Sequence, residues 1–536
     1  MRISGRWGRP RTEKVYVMNT DKKIARNTLY NTAGYIWRSL LNILITPYIV
    51  LRLGNEQFGI WALVFAVVGY FYLIDMGIGS AYAKFIAECY AKNEHKKLNE
   101  IVATGLVFNI AVSSVVVLLT AVSGKWVIGI LKIPQAYHGE AVFALLGAVV
   151  VFSLSQVSGV FSSVVIGLQR MDLGNKISIA VSIANTAGTI LVLESGFGIR
   201  GLVVNFAITA LLTGLSNLYA TVKLLPSFSI GVSEISFETF KMLFSYGIKI
   251  QASNISSLMN LQTQKVFLGY FMNMSAVTFY ELGSKVSNTA RSLPMLLFSA
   301  VTPASSELYS QSDTGRLNKL YLKGSKYLYS ITIPMAVFLF FDAGLIMTSW
   351  MGKGYESSTL VIQFLVTGYF FNLLTGLATS MARGTGDVVY EMKSSILILA
   401  LNIPLSIILI NKIGLMGALI AASGTIIIGS IYYMILFHRH VIKLPVVPFV
   451  TDMSFKPLIF SMISCGGVWL LNKLIGDSLG TGRIGGIVVL TVDCLTFGLI
   501  YCSLILKTDY LEKGDLLMIM EHLGILNRKV QGSNSH

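Results

Sequence analysis

The sequence predicts an all-α polytopic membrane protein. Fourteen transmembrane helices form two pseudo-symmetric six-helix bundles plus two C-terminal helices, with both termini cytoplasmic. Three observations carry this expectation. Of 536 residues, 54% are hydrophobic and 13% charged, against about 25% charged in soluble domains. Apolar runs of about 20 residues, the length that crosses a bilayer, recur along the whole chain. Lys and Arg also fall unevenly between alternate loops.

The elements follow in order. Residues 1–29 form a basic cytoplasmic segment with eight Lys and Arg from Arg2 to Arg26. No apolar core of a signal peptide occupies its first 25 residues, and Met18 is a second candidate start. The first six spans are Tyr30–Leu51, Phe58–Ala83, Ile101–Ser123, Ala141–Ile166, Ile177–Leu193 and Gly201–Val222. Residues 30–223 are thus the N-terminal bundle, and 224–241 a cytoplasmic linker. The next six are Met242–Leu268, Met274–Val301, Tyr327–Trp350, Leu360–Ser380, Ser394–Ile410 and Leu415–Leu436. They make the C-terminal bundle, 242–440. Pro457–Leu474 and Gly485–Leu506 are the two extra spans of region 441–506, and 507–536 is a cytoplasmic tail.

With the N-terminus inside, 29 of the 42 Lys and Arg residues fall in cytoplasmic segments and nine, Lys265 among them, in outer loops. The other four lie within spans: Arg38, Lys249, Lys285 and Arg291. A net charge of +16 would suit a nucleic-acid partner. Its placement in short loops between apolar spans points instead to the positive-inside rule, and no nucleic acid is expected. The four cysteines form no CxxC, so neither a disulfide framework nor a zinc site is indicated. His438 and His440 flank Arg439 in a basic loop with no metal-site pattern. No metal or cofactor is expected.

An internal repeat supports the two bundles. Arg38–Asn42 (RSLLN) matches Ser256–Asn260 (SSLMN) at a shift of 218, and Glu88–Asn99 matches Glu307–Asn318 at 219. Lys176 and Asn185 match Lys393 and Asn402, both at 217. Six spans per half give both halves one orientation, related by an axis along the membrane normal, with a substrate path between them.

Polar residues line single faces of particular spans. Asn31, Tyr35, Arg38, Asn42 and Thr46 stripe the first. Lys249, Ser253, Ser256, Asn260 and Gln264 repeat that spacing in the seventh, and Glu281, Lys285, Asn288 and Ser292 share a face of the eighth, with Arg291 beside them. A charge at the bilayer centre costs roughly 2.5–3.5 kcal/mol, so such groups face water or protein. The stripes predict one polar, cationic cavity between the halves, suited to an anion such as phosphate. Structural roles compete with this reading: Arg38 and Lys249 could snorkel, and Lys285 could bridge Glu281 one turn away. Asp75, followed by Gly77 and Gly79, interrupts the second span where Pro294 interrupts the eighth. Both breaks give a helix somewhere to bend. Asp75 is the candidate gate, pairing with Arg291 or Arg38 when the inner mouth shuts. Asp342, near the outer end of the ninth span, and Asp493, in the extra pair, are weaker candidates for a coupling proton or sodium ion.

The stretch Leu51–Glu88, with its RLG…FG…W entry and DMGIGSA turn, resembles bacterial polysaccharide repeat-unit flippases. These belong to the multidrug/oligosaccharidyl-lipid/polysaccharide exporter superfamily. The resemblance implies a plasma-membrane flippase, not an enzyme, that moves undecaprenyl-diphosphate-linked oligosaccharide by alternating access. Its partners would be that lipid-linked glycan, membrane lipids, a coupling proton or sodium ion and the polysaccharide polymerase machinery. Related lipid II flippases carry essential cavity arginines on helices one, two and eight. Arg38 fits the first role, and Arg291, with Lys285, the third; the second helix has Asp75 and no arginine in its membrane section. The resemblance thus assigns substrate binding to Arg38, Lys285 and Arg291, with Asn42, Asn260, Gln264 and Asn288 bonding sugar or phosphate. Lys249 joins the substrate-binding set, and Glu281, with Asp75 and Asp342, is a candidate for gating or ion coupling. The alternative is a cation-coupled multidrug antiporter of the same superfamily, which needs a cavity rich in acids. A membrane glycan polymerase or ligase would need catalytic groups on a sizeable outer loop, and the longest outer loop runs only from Gly124 to Glu140.

Overall fold

The computed structural model describes residues 20–74, 78–225, 228–229, 231, 234–298, 301–475, 482–508 and 510–511. Among these residues every regular element is helical. The first half contains α1 (Thr20–Gly69), a 3-10 turn (Tyr70–Leu73), α2 (Ile78–Ala91), α3 (His95–Ile130), α4 (His138–Gly167), α5 (Met171–Glu194) and α6 (Gly198–Leu224). The second contains α7 (Phe237–Phe271), α8 (Met274–Phe298), α9 (Val301–Ser310), α10 (Thr314–Phe341), α11 (Ala343–Trp350), α12 (Glu356–Leu374), α13 (Gly376–Thr385) and α14 (Val389–Phe437). Two more helices follow, α15 (Val446–Ile475) and α16 (Arg483–Lys507).

Local chemistry sets the ends and breaks of these helices. A straight α1 would be about 75 Å long, far more than a bilayer is thick. It turns at Gly54, whose φ of 77° favours a residue without a Cβ. Gly414 (φ 58°) breaks the almost equally long α14 in the same way. Ser236 caps α7 by accepting from the Thr239 amide, and Asp313 caps α10 by accepting from that of Arg316. Gly386, at φ 85°, ends α13.

Ten stretches among the described residues are long and apolar enough to cross a membrane, and two of them, Tyr30–Leu73 and Val389–Ile442, contain these glycine turns. This is a polytopic membrane protein. α7 and α8 are not among the ten, because Gln251, Gln262, Gln264 and Lys265 in one and Glu281, Lys285, Asn288 and Arg291 in the other lower their hydropathy.

Burial divides the molecule into a V. The largest core cluster draws on both halves, joining Ile60, Leu63 and Val64 of α1, Ala144 and Val149 of α4, Val277 and Leu282 of α8, Val361 and Leu365 of α12 and Leu419 of α14. Away from the Gly54 turn the core splits. One arm packs Ile78, Tyr82 and Ile86 of α2 with Leu98 and Ile101 of α3 and Leu243 of α7. The other packs Tyr321, Leu328 and Tyr329 of α10 with Leu377 and Met381 of α13 and Phe437 of α14. α7 begins against the first half: Lys84 lies 4.1 Å over the Tyr246 ring.

The vertex is held by close backbone contact. A Cβ on Gly59 of α1 would lie 2.0 Å from the Met274 carbonyl of α8. Thr278 donates to the Asn55 carbonyl (2.6 Å), Tyr355 to the Asn55 side chain (3.1 Å) and the Trp350 indole to the Ile43 carbonyl (2.9 Å). The repeat is visible in the bonding. In the first half Asn205 of α6 donates to Asn185 of α5, at 3.0 Å to its carbonyl and 3.0 Å to its amide oxygen. In the second, Asn402 donates to Thr425 (3.1 Å), joining the two arms of α14.

Gly59→Val should force α1 and α8 apart at the vertex. Overpacking of this kind costs about 1–3 kcal/mol. Thermal unfolding of the purified protein should show a clear loss of stability, whereas Gly129→Ala, with nothing within 4 Å of its Cβ, should behave as wild type.

Candidate functional site

The polar stripes meet neighbours on more than one side. On α1, Asn42 and Thr46 face the second half. The Lys285 ammonium of α8 donates to the Asn42 amide oxygen at 3.1 Å and to the Thr46 hydroxyl at 2.8 Å. Thr46 in turn donates to the Asn42 carbonyl. Lys285 is half-buried, Asn42 is exposed, and Thr46 is fully buried. Arg38, one turn from Asn42, is exposed and donates to the Ser178 hydroxyl of α5 at 2.6 Å. Neither Lys285 nor Arg38 has a carboxylate at salt-bridge distance among the described residues. One cation, an exposed amide and a shared hydroxyl thus stand at the seam where the halves meet, and a second cation, Arg38, lies one turn along α1 on the α5 side. Such a group can neutralise an anion and hydrogen-bond its oxygens.

Other predicted residues lie elsewhere. The competing Glu281–Lys285 bridge does not form. Glu281 pairs with Lys265 at 3.0 Å, and both side chains are largely buried, 20% and 13% exposed. Lys265, expected in an outer loop, is an interior residue of α7. Gln264 is fully buried against α14, donating to Ser406 (2.8 Å) and Asn402 (3.2 Å), as a helix–helix contact does. Arg291 turns away from Lys285: it donates to the Asn372 amide oxygen at 2.7 Å and lies 4.8 Å over the Tyr369 ring of α12. Asn288 is half-buried one turn beyond Lys285. Asp342 stands at the α10–α11 junction, and Asp493 is buried on α16, accepting from Asn472 at 3.0 Å. Asp75 and the side chains of Lys249 and Asn260 lie outside the described residues.

Arg291 borders a chamber of about 210 Å³ inside the second half, walled also by Tyr369, Asn372, Arg383, Ser430 and Tyr433. Arg383 is tied to Glu391 by two bonds, 3.1 and 2.5 Å. Sequence reasoning missed this chamber. The available signal was angular: at 100° per residue, Arg291 is about 120° around α8 from Lys285, too far to share its face.

The Lys265–Glu281 pair should behave as structure. Lys265→Ala leaves a largely buried carboxylate alone and should cost about 3 kcal/mol. Lys265→Ala with Glu281→Ala should recover most of that loss in a double-mutant cycle read by thermal unfolding; additive losses would contradict direct pairing.

Comparisons with known proteins agree with this architecture. The sequence profile of a family described as "Polysaccharide biosynthesis protein" matches residues 24–309, and a second, MatE, matches 252–408. A putative O-antigen transporter of Shigella flexneri is 23% identical over 420 residues, 78% of this chain and 98% of that protein. Among solved structures, the lipid II flippase MurJ in an inward closed conformation superposes with a TM-score of 0.69 at 15% identity, covering 90% of this chain and 99% of MurJ. An inward-facing multidrug resistance MATE transporter of the MOP superfamily gives 0.65 at 15% identity, covering 78% and 95%. With its first profile match spanning more than half of its length, this two-armed helical membrane protein belongs to the polysaccharide biosynthesis protein family.

Proposed function

We propose that the protein is a flippase that carries undecaprenyl-diphosphate-linked oligosaccharide repeat units from the inner to the outer leaflet of the bacterial plasma membrane. The observation that carries this reading is Lys285, held at the seam by Asn42 and Thr46 of the other half with no carboxylate at salt-bridge distance among the described residues. The relative described as an O-antigen transporter and the structural likeness to a lipid II flippase support it.

In the proposed cycle the basic loops hold both termini inside, so the V opens to the cytoplasm and its vertex seals the outer face. Gly54 and Gly414 each separate two crossings; with α7 and α8 the count is fourteen. The diphosphate enters between the arms and meets Arg38 and Lys285, while Asn42 and Asn288 bond phosphate or sugar oxygens. Lys249 and Asn260 extend the lining along α7. The lipid tail stays in the bilayer. The halves then rock about the vertex and present the headgroup outside. A proton or sodium gradient, acting through Asp75 or Asp342, or consumption of the flipped product supplies the drive.

The rival is a cation-coupled multidrug antiporter. It is disfavoured because Glu281, the acid on the cavity-facing helix α8, is already bound to Lys265.

Complementation of a surface-polysaccharide export defect tests the proposal, with membrane abundance measured alongside. Arg38→Ala and Lys285→Ala should each reduce glycan export at least tenfold at normal abundance. Full activity in both would defeat the phosphate-clamp reading. Efflux of cationic dyes by the wild type would favour the antiporter.

A further inference from the structure

We infer that Asp493 is a proton-binding site. It holds its proton as a neutral acid sealed in the joint between α16 and the second half, and the proton leaves only when this joint opens. The site rests on the packing of α16 alone and does not need the flippase reading.

Asp493 stands about 15 Å along α16 from Arg483 and about 21 Å from Lys507, far from either end of the span. It lies on the face that docks. Gly486, Asp493, Phe497 and Tyr501 are spaced seven, four and four apart, one stripe of a helix. Gly486 meets α11, where an added Cβ would lie 2.5 Å from the Ser349 hydroxyl oxygen. The Phe497 ring is 5.3 Å from that of Phe338 on α10, and Tyr501 donates to the Ser330 carbonyl. Asp493 falls between these contacts and is fully buried. The Asp342 carboxyl, at the α10–α11 junction, is close enough for the charges of the two acids to interact.

Nothing in the joint neutralises a carboxylate there. α15, α11 and α10 pack on α16. They bring Asn472 and the Cys465 thiol from α15, Ser349 from α11 and Asp342 from the junction. None is a cation, and among the described residues no Lys or Arg is at salt-bridge distance from Asp493. Of the bases flanking the α15–α16 connection, Lys473 lies 5.3 Å over the Trp469 ring and Arg483 donates to the Met351 carbonyl at 2.6 Å. One oxygen of Asp493 accepts from Asn472 at 3.0 Å; the other, Oδ1, has no partner and no surface that a water molecule can touch. A buried carboxylate without a counter-charge takes up a proton instead. A metal cation would need room and several oxygen ligands; a proton needs neither. The protonated oxygen becomes a donor, so the acid can return a bond to the Asn472 amide oxygen, which a carboxylate cannot do. With no water against it, the acid can exchange its proton only if α16 and the second half separate.

The test uses the full chain in nanodiscs and reads the infrared carbonyl stretch of a protonated carboxylic acid. At neutral pH the difference between wild type and Asp493→Asn should contain this band, and Asp342→Asn should retain it. A carboxylate band in that difference, or no acid band, would overturn the proposal. Sealing is tested by a lock. Ser349→Cys with Gly486→Cys sets two Cβ atoms 3.3 Å apart, near the span of a disulfide, and joins α16 to α11. After a jump to alkaline pH the acid band should decay at least tenfold more slowly in the oxidised double variant than after its reduction. Each single cysteine variant should behave as wild type. Equal rates with and without the lock would show that the proton leaves through a closed joint, and would overturn the sealed site. The double variant keeps Asp493, so it decides the matter if Asp493→Asn fails to fold.

Discussion

The contact of α1 with α8 at Gly59 is the constraint on which the architecture depends. With no Cβ between them, the two helices join backbone to side chain at one end of the molecule. The large core forms around that junction and draws on both halves. Beyond it the halves have separate cores, so the space between the arms need not be filled with apolar side chains. Polar residues placed along α1 and α8 past the junction can therefore face a cleft. Pro47 and Pro294 within these two helices interrupt their backbone bonding.

Ion pairing respects the same division. Among the described residues, Arg52 pairs with Glu194 inside the first half, and Lys265 with Glu281 and Arg383 with Glu391 inside the second. The contacts that cross between halves are of another kind. Thr278, Tyr355 and Trp350 make neutral hydrogen bonds, and Lys285 bonds to neutral oxygens. Separating the halves would break no carboxylate–cation pair among those described. A neutral bond exchanged for water changes the free energy little, whereas stranding a buried charge costs several kcal/mol. Each half keeps its carboxylate–cation pairs to itself, and the hydrogen bonds it makes to the other are ones that water can replace.

Much of this was legible in the sequence, for physical reasons. Membrane crossings must be long and apolar, so the helical, polytopic character follows from hydropathy. The repeat was legible because both halves use the same side chain at one place: Asn185 and Asn402 each join the fifth helix of a half to the sixth. Direction was harder to read. A stripe names a helix face, but two neighbouring helices can share that face. On α1 the same stripe gives Arg38 to α5 and Asn42 to α8. On α7 the stripe residue Gln264 goes to α14, and on α8 Arg291 goes to α12. Partners distant in sequence decide such choices: Ser178, Ser406 and Asn372 carry no local pattern that ties them to their partners.

The final two helices add a mechanical asymmetry. α15 and α16 dock on α10 and α11 of the second half, where Tyr501 donates to the Ser330 carbonyl at 2.7 Å and a small core of Val468, Phe497 and Ile505 packs beneath. That half therefore presents a wider perimeter to the surrounding lipid. Viscous drag in a bilayer grows with perimeter, so in any rotation of one half against the other the second half, carrying its two added helices, would turn through the smaller angle.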